Sequence, residues 1–209
     1  MLRYRLLALA LISSFLLLAF APLSLRAGET GPRQQLEVSV NQLLDVLRDK
    51  ELKGDGQQKL RRERIAEVVF LQFNMRRMAK LSLGRDWRGL SEAERSRFTE
   101  LYQNLLKKSY VATIDQFADE QVSYLKEIIK GEKAEVRTMI ISGSREIPLN
   151  YKLQVKDGKW LIYDVIIENV SLVRNYRSQF GPIMKKKGFD GLISKMAEKI
   201  TRAGEKEDG

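Results

Sequence analysis

The chain has 209 residues, a formal net charge of +10, and neither cysteine nor histidine. These absences exclude disulfide frameworks, zinc sites of the usual kind and His-dependent nucleophile systems, and no GxxxxGKS/T or GxGxxG run is present to hold a nucleotide. A chain of this length is expected to form one domain with a real hydrophobic core.

Met1 to Arg5 carries two arginines, and Leu6 to Leu25 is a nearly continuous apolar run followed by small residues around Ala27. This layout predicts an export signal over residues 1–27, with a retained membrane anchor as the competing reading. Export argues against nucleic acid as the partner. The part after residue 27 keeps a charge of +7 once Arg3, Arg5 and Arg26 are removed, which favours anionic surfaces or acidic partners.

Leu36, Val40, Leu43, Leu44 and Leu47 stand at helical spacing in Pro32 to Lys50, and KGDG at 53–56 ends that helix. A second helix follows around Ile65, Val68 and Val69. In FNMRRMAKLSLGRDW, residues 73–87, Asn74 is placed to cap a short helix and Gly84 to close it. Ser91 and Glu94 form a capping-box pattern that opens the longest helix, with Phe98, Leu101, Tyr102 and Leu105 along one side.

The period changes after Glu120. Val136, Thr138 and Ile140 alternate with polar neighbours, as do Ile147, Leu149, Tyr151, Leu153 and Val155, and Asp157-Gly158 is a hairpin signal. The next strand, Trp160 to Val170, is apolar on both faces: Trp160, Ile162, Asp164 and Ile166 on one, Leu161, Tyr163, Val165 and Ile167 on the other. Such a strand should be covered on both sides. Ser171 then caps a helix through Gln179, Gly181-Pro182 is expected to break it, and Phe189 to Ile200 forms a last helix. The order predicts an α+β fold: several helices around one curved, mainly antiparallel sheet of about four strands. A single domain over 28–203 and a charged tail over 204–209 complete the layout.

FNMRRMAKLSLGRDWR, Tyr110 and above all WLIYDVIIENVSLVRNYRSQF, residues 160–180, resemble the MlaC family of periplasmic phospholipid-binding proteins. Asn74-Met75 and Asn169 depart from the residues usual there, Asn169 standing where Gly is common; a hopanoid-associated relative is the neighbouring possibility. The resemblance implies a carrier without catalytic residues or cofactor, holding phospholipid as cargo in an internal cavity. It also implies partners: an outer-membrane lipoprotein–porin complex and an inner-membrane ABC transporter with an MCE-domain subunit, served by a monomer.

The physics of such cargo is demanding. About 30 methylenes at ~0.8 kcal/mol each make a two-chain lipid cost on the order of 20 kcal/mol in water, so a carrier needs a dry, aliphatic cavity, expected near about 1,000 Å³. Phe98, Leu101, Leu105, Leu149, Tyr151, Leu153, Trp160, Ile162 and Val165 are the candidate lining. Arg76, Arg77, Arg174 and Arg177 are the candidates for headgroup or partner contact, being able to meet phosphate at the cavity mouth. Lys185, Lys186 and Lys187 read as a solvated helix end or a docking patch. Asp164 is the odd carboxylate on its strand: a backbone cap or arginine partner, or, on a small cone-shaped enzyme, an acid–base group.

Overall fold

The structure is a computed structural model that describes residues 30–205, apart from 55 and 119. The expected export signal and the end of the charged tail lie outside the described residues. The first three helices are α1 (Pro32–Arg48), α2 (Gln58–Phe70) and α3 (Met75–Leu83), and a 3₁₀ turn at Asp86–Gly89 leads into α4 (Glu92–Ile114). Strands β1 (Gln121–Lys130), β2 (Lys133–Ser142), β3 (Arg145–Lys156), β4 (Lys159–Ile167) and β5 (Val170–Ser171) precede α5 (Leu172–Glu205). The sheet is an antiparallel meander in the order β1-β2-β3-β4-β5. Thus the fold is α+β as expected, with a short fifth strand beyond the four read from the sequence.

Local chemistry sets the boundaries. The Asn74 carboxamide oxygen accepts from the Arg77 amide at 3.1 Å, and Gly84, at φ 63°, closes α3 through its N–H to the Lys80 carbonyl. Ser91 and Glu94 form the full capping box of α4. Asp157 and Gly158 both take positive φ in the β3–β4 hairpin, and Glu168 and Asn169 do so in the turn to β5, where Asn adopts the left-handed backbone readily.

The Gly181-Pro182 break does not occur. Helical geometry runs through both residues, and the chain kinks instead at Gly188, whose φ of 66° and ψ of −168° leave the helical region. Pro182 is exposed, so losing one backbone bond there is tolerated. The buried stripe Val173, Tyr176 and Phe180 holds α5 against its neighbours up to that point.

The faces of β4 also differ from those strict alternation predicts. Lys152 pairs with Asp164 but the next residue, Leu153, pairs with Ile162, so Tyr163 is an extra residue in a β-bulge. The bulge inverts the alternation. Trp160, Ile162, Val165 and Ile167 therefore share the face toward α1, beside Val155, Leu153, Tyr151 and Leu149 on β3, while Asp164 and Ile166 turn to the other face.

Three apolar cores result among the described residues. The first lies between α3, α4 and α5 around Met78, Phe98, Tyr102, Tyr176, Phe180 and Leu192, where Phe98 stacks on Tyr102 with centroids 5.8 Å apart. Another joins α1 to the inner face of the sheet through Leu36, Val136, Leu153, Ile162 and Val165. The third ties α1, α2 and α4 through Leu47, Ile65, Ala66 and Val111.

The outer edge of β4 would leave backbone groups unpaired, and three neighbours cover it. Gln35 of α1 accepts from the Trp160 N–H at 3.0 Å and donates to the Trp160 carbonyl. The α2–α3 corner adds a parallel bridge, with Ile162 N–H donating to Gln72 and Asn74 N–H donating to Ile162, both at 2.8 Å. β5 pairs with Ile166 and Ile167.

Candidate functional site

Between the second and third cores the interior stays open. A cavity of about 290 Å³ lies between the inner face of the sheet and a wall made by α1, α2, the α2–α3 corner and the C-terminal half of α4. From α1, Leu36, Val40, Leu43, Leu44 and Leu47 face it, and Val69, Phe70 and Phe73 close its side. Leu106, Tyr110 and Ile114 come from α4, and Ile147, Leu149, Tyr151, Ile162, Val165 and Ile167 form the floor. Ser39, Gln72, Thr113 and Glu120 are polar exceptions, and Glu120 accepts a hydrogen bond from Ser142 Oγ at 2.6 Å.

The lining has a signature of hollowness. Val40, Leu43, Leu44, Leu149, Tyr151 and Ile167 all point inward, yet each keeps part of its surface accessible. Tyr151 lies so deep that burial, more than the nearby Tyr124, raises its phenol pKa well above the ordinary value. Tyr110 on the opposite wall is pushed up to about 12, again mainly by burial, with Tyr176 next.

Four of the nine lining residues expected from the sequence stand on this cavity: Leu149, Tyr151, Ile162 and Val165. Leu153 and Trp160 share their face but pack beneath α1, filling the second core. Phe98, Leu101 and Leu105 lie elsewhere, in the core between α3, α4 and α5. The reason is length: at 1.5 Å per residue, 23 residues of α4 span about 35 Å, so its first half serves one core and its second half the cavity. The α1 stripe and Ile167 were missed as lining. Both were visible in sequence, one as helical spacing and the other as alternation, but neither says which apolar face borders a void.

The volume is also corrected, since about 290 Å³ is less than a third of the ~1,000 Å³ expected. The wall stands close to the sheet, and Leu36 and Val40 of α1 reach into the second core.

None of the four candidate arginines lines the cavity. Arg76 pairs with Glu92 at 2.6 Å and lies over the Trp87 ring, while Arg77 lies over Tyr163 with its guanidinium carbon 4.8 Å from the centroid. Arg177 packs on Gly84, where a Cβ would collide with its guanidinium. Arg174 is exposed on the first turn of α5. Asp164 is buried and accepts from Ser171 Oγ at 2.7 Å and from the Val173 N–H at 3.1 Å, so it holds the start of α5.

The profile of the MlaC protein family matches residues 37–198 of the chain. The chain belongs to the MlaC family. It is 21% identical over 197 residues, covering 91% of this chain and 92% of the relative, to the intermembrane phospholipid transport system binding protein MlaC of Haemophilus influenzae. In fold it is similar to a phospholipid-binding protein from Ralstonia solanacearum solved in complex with a phospholipid, with a TM-score of 0.76 and 18% identity over 84% of this chain and 99% of that one.

In this MlaC chain the motif at 160–180 is chiefly architectural. Trp160 and Ile162 fix the edge of β4, Val165 and Ile167 face the cavity, and Asp164 with Ser171 starts α5. The MlaC resemblance therefore marks a frame around the hollow more than a set of ligand-touching groups.

Proposed function

We propose that the protein is a periplasmic phospholipid carrier that shelters acyl chains in the cavity between the sheet and the α1–α2–α4 wall. The observation that carries this reading is the set of inward-facing aliphatic side chains that keep accessible surface toward a common hollow. Leaving about 290 Å³ unfilled would cost on the order of 7 kcal/mol at ~24 cal/mol per Å³, comparable with the whole stability of a domain. A resident hydrocarbon chain removes that cost. The phospholipid named for the Ralstonia protein and the transport system named for the Haemophilus relative support the same cargo.

The volume sets a condition. A complete two-chain lipid needs more room, so loading moves the α1–α2 wall away from the sheet or leaves part of the chains outside. α1 meets the sheet through the Gln35–Trp160 pairing and the Arg33 amide to Glu127 at 2.8 Å, few polar ties for a wall that must move. The headgroup remains at the mouth in water.

The apolar leader read over residues 1–27 supports export to the periplasm. There the carrier exchanges lipid between an outer-membrane lipoprotein–porin complex and an inner-membrane MCE-bearing ABC transporter, maintaining outer-membrane lipid asymmetry. The cycle has no covalent step; Asp164 is occupied in capping α5. Uptake of a phospholipid with a fluorescent acyl chain tests the reading. The natural protein should take it up, and Leu43→Trp with Ile167→Trp, which fills the hollow, should lose most uptake while staying folded; equal uptake by both would refute the cavity as the site.

A further inference from the structure

The positive charge of the protein is concentrated in one lobe. Residues 75–97 and 172–203, which form α3, the 3₁₀ turn, the start of α4 and α5, carry fifteen Lys and Arg against five Asp and Glu, a net +10. The stretches 28–74 and 98–171, which supply all of the cavity lining except Leu172, carry eighteen against nineteen. The charge therefore belongs to the part of the molecule that contributes little to the cavity lining.

Within that lobe the cations gather at the turn Asp86–Gly89. Arg76 and Arg95 lie over the Trp87 ring at 5.6 and 5.7 Å, and Arg95 also donates to the Trp87 and Arg88 carbonyls. Arg177 reaches the turn from α5 by packing on Gly84. Arg85 and Arg88 project from the turn itself, both exposed. Nearby acids are few: Glu92 is engaged by Arg76 and lies 3.7 Å from Arg95, Glu94 is bound to Ser91, and Asp86 is the carboxylate of the turn.

We infer that this arginine cluster is a docking surface for the anionic headgroups of a lipid bilayer. A bilayer is favoured over an acidic protein by what the lobe lacks. The exposed large hydrophobic residues among those described are Val38, Leu60, Leu71, Leu125, Ile129 and Val170, and none of them lies on the 75–97 or 172–203 segments. Specific protein interfaces are centred on apolar and aromatic anchors, whereas attraction to a charged membrane needs only accessible cations. The guanidinium fork matches phosphate oxygens, and Trp87 holds two of the arginines in place. Docking by this lobe leaves the cavity side free to face another surface.

The test uses the mature protein and sedimenting vesicles, with protein read in the pellet, so that lipid extraction into a soluble carrier does not score as binding. Vesicles of phosphatidylcholine with phosphatidylglycerol should pellet the protein, pure phosphatidylcholine should not, and physiological salt should weaken the binding steeply. Neutralising Arg85, Arg88 and Arg177 to Gln together should weaken it by about a hundredfold, at roughly fivefold per cation near the surface. A matched set on the sheet, Lys126→Gln, Lys130→Gln and Lys152→Gln, should change it little. Equal binding to neutral vesicles, or equal loss from the sheet set, overturns the inference. Retention on polyglutamate without any binding to anionic vesicles also overturns it and reassigns the cluster to an acidic protein.

Discussion

Asp164 and Ser171 face each other across the turn between β4 and α5, with Ser171 Oγ donating to the Asp164 carboxylate at 2.7 Å while accepting from the Arg174 amide at 3.2 Å. One side-chain pair thus fixes the helix start. Asp164→Ala leaves a buried hydroxyl and the Val173 N–H without their acceptor and should cost about 2–4 kcal/mol in urea unfolding. Asp164→Asn should keep lipid uptake, since no reaction passes through the carboxylate; loss of uptake in a folded Asn variant would contradict that.

The two kinds of apolar site should respond differently to truncation. Phe98, fully buried against Tyr102 and Phe180, should cost about 3–5 kcal/mol as Phe98→Ala and leave lipid uptake intact in the folded fraction. Leu149 borders the hollow, so Leu149→Ala should cost less, under about 2 kcal/mol, because few packing contacts are lost. Paired urea titrations and uptake assays separate the two.

Arg61 is buried beneath the C-terminal ends of α1 and α4, where its Nε donates to Asp115 and its Nη2 to the Leu47 carbonyl at 2.9 Å. Breaking one partner strands a buried charge. Asp115→Ala should therefore lose about 3–5 kcal/mol, and Arg61→Met with Asp115→Leu should recover most of it. A double variant no more stable than the single would show that the pair stabilises beyond mutual compensation.

Several tyrosines are held neutral by burial, with Tyr110 and Tyr124 pushed up to about 12 and Tyr151 raised further. For a group whose folded pKa is raised, the stability it contributes is intact below its unfolded pKa, about 10, and is lost as pH climbs through the folded value. Stability should fall progressively above pH ~10. Tyr151→Phe should flatten that decline, as followed by thermal unfolding against pH.

What the sequence disclosed divides along the range of the interactions involved. Asn74, Gly84, Ser91 and Asp157-Gly158 act on their own few residues, so their caps and turns were legible. Pro182 was misread because the stripe through Tyr176 and Phe180 outweighs one missing hydrogen bond. The faces of β4 were misassigned because strict alternation cannot register the extra residue at Tyr163. Leu149, Tyr151, Ile162 and Val165 line the cavity. Only the spacing of α1 from the sheet decides that they border a void, and no local pattern encodes that distance.

The cavity is expected to hold hydrocarbon. Mass spectrometry of organic extracts from the natively purified, exported protein tests it most directly. The account predicts phospholipid at about one molecule per chain, lost from the filled Leu43→Trp, Ile167→Trp variant. Extracts without phospholipid, together with no uptake when lipid is added back, would contradict it.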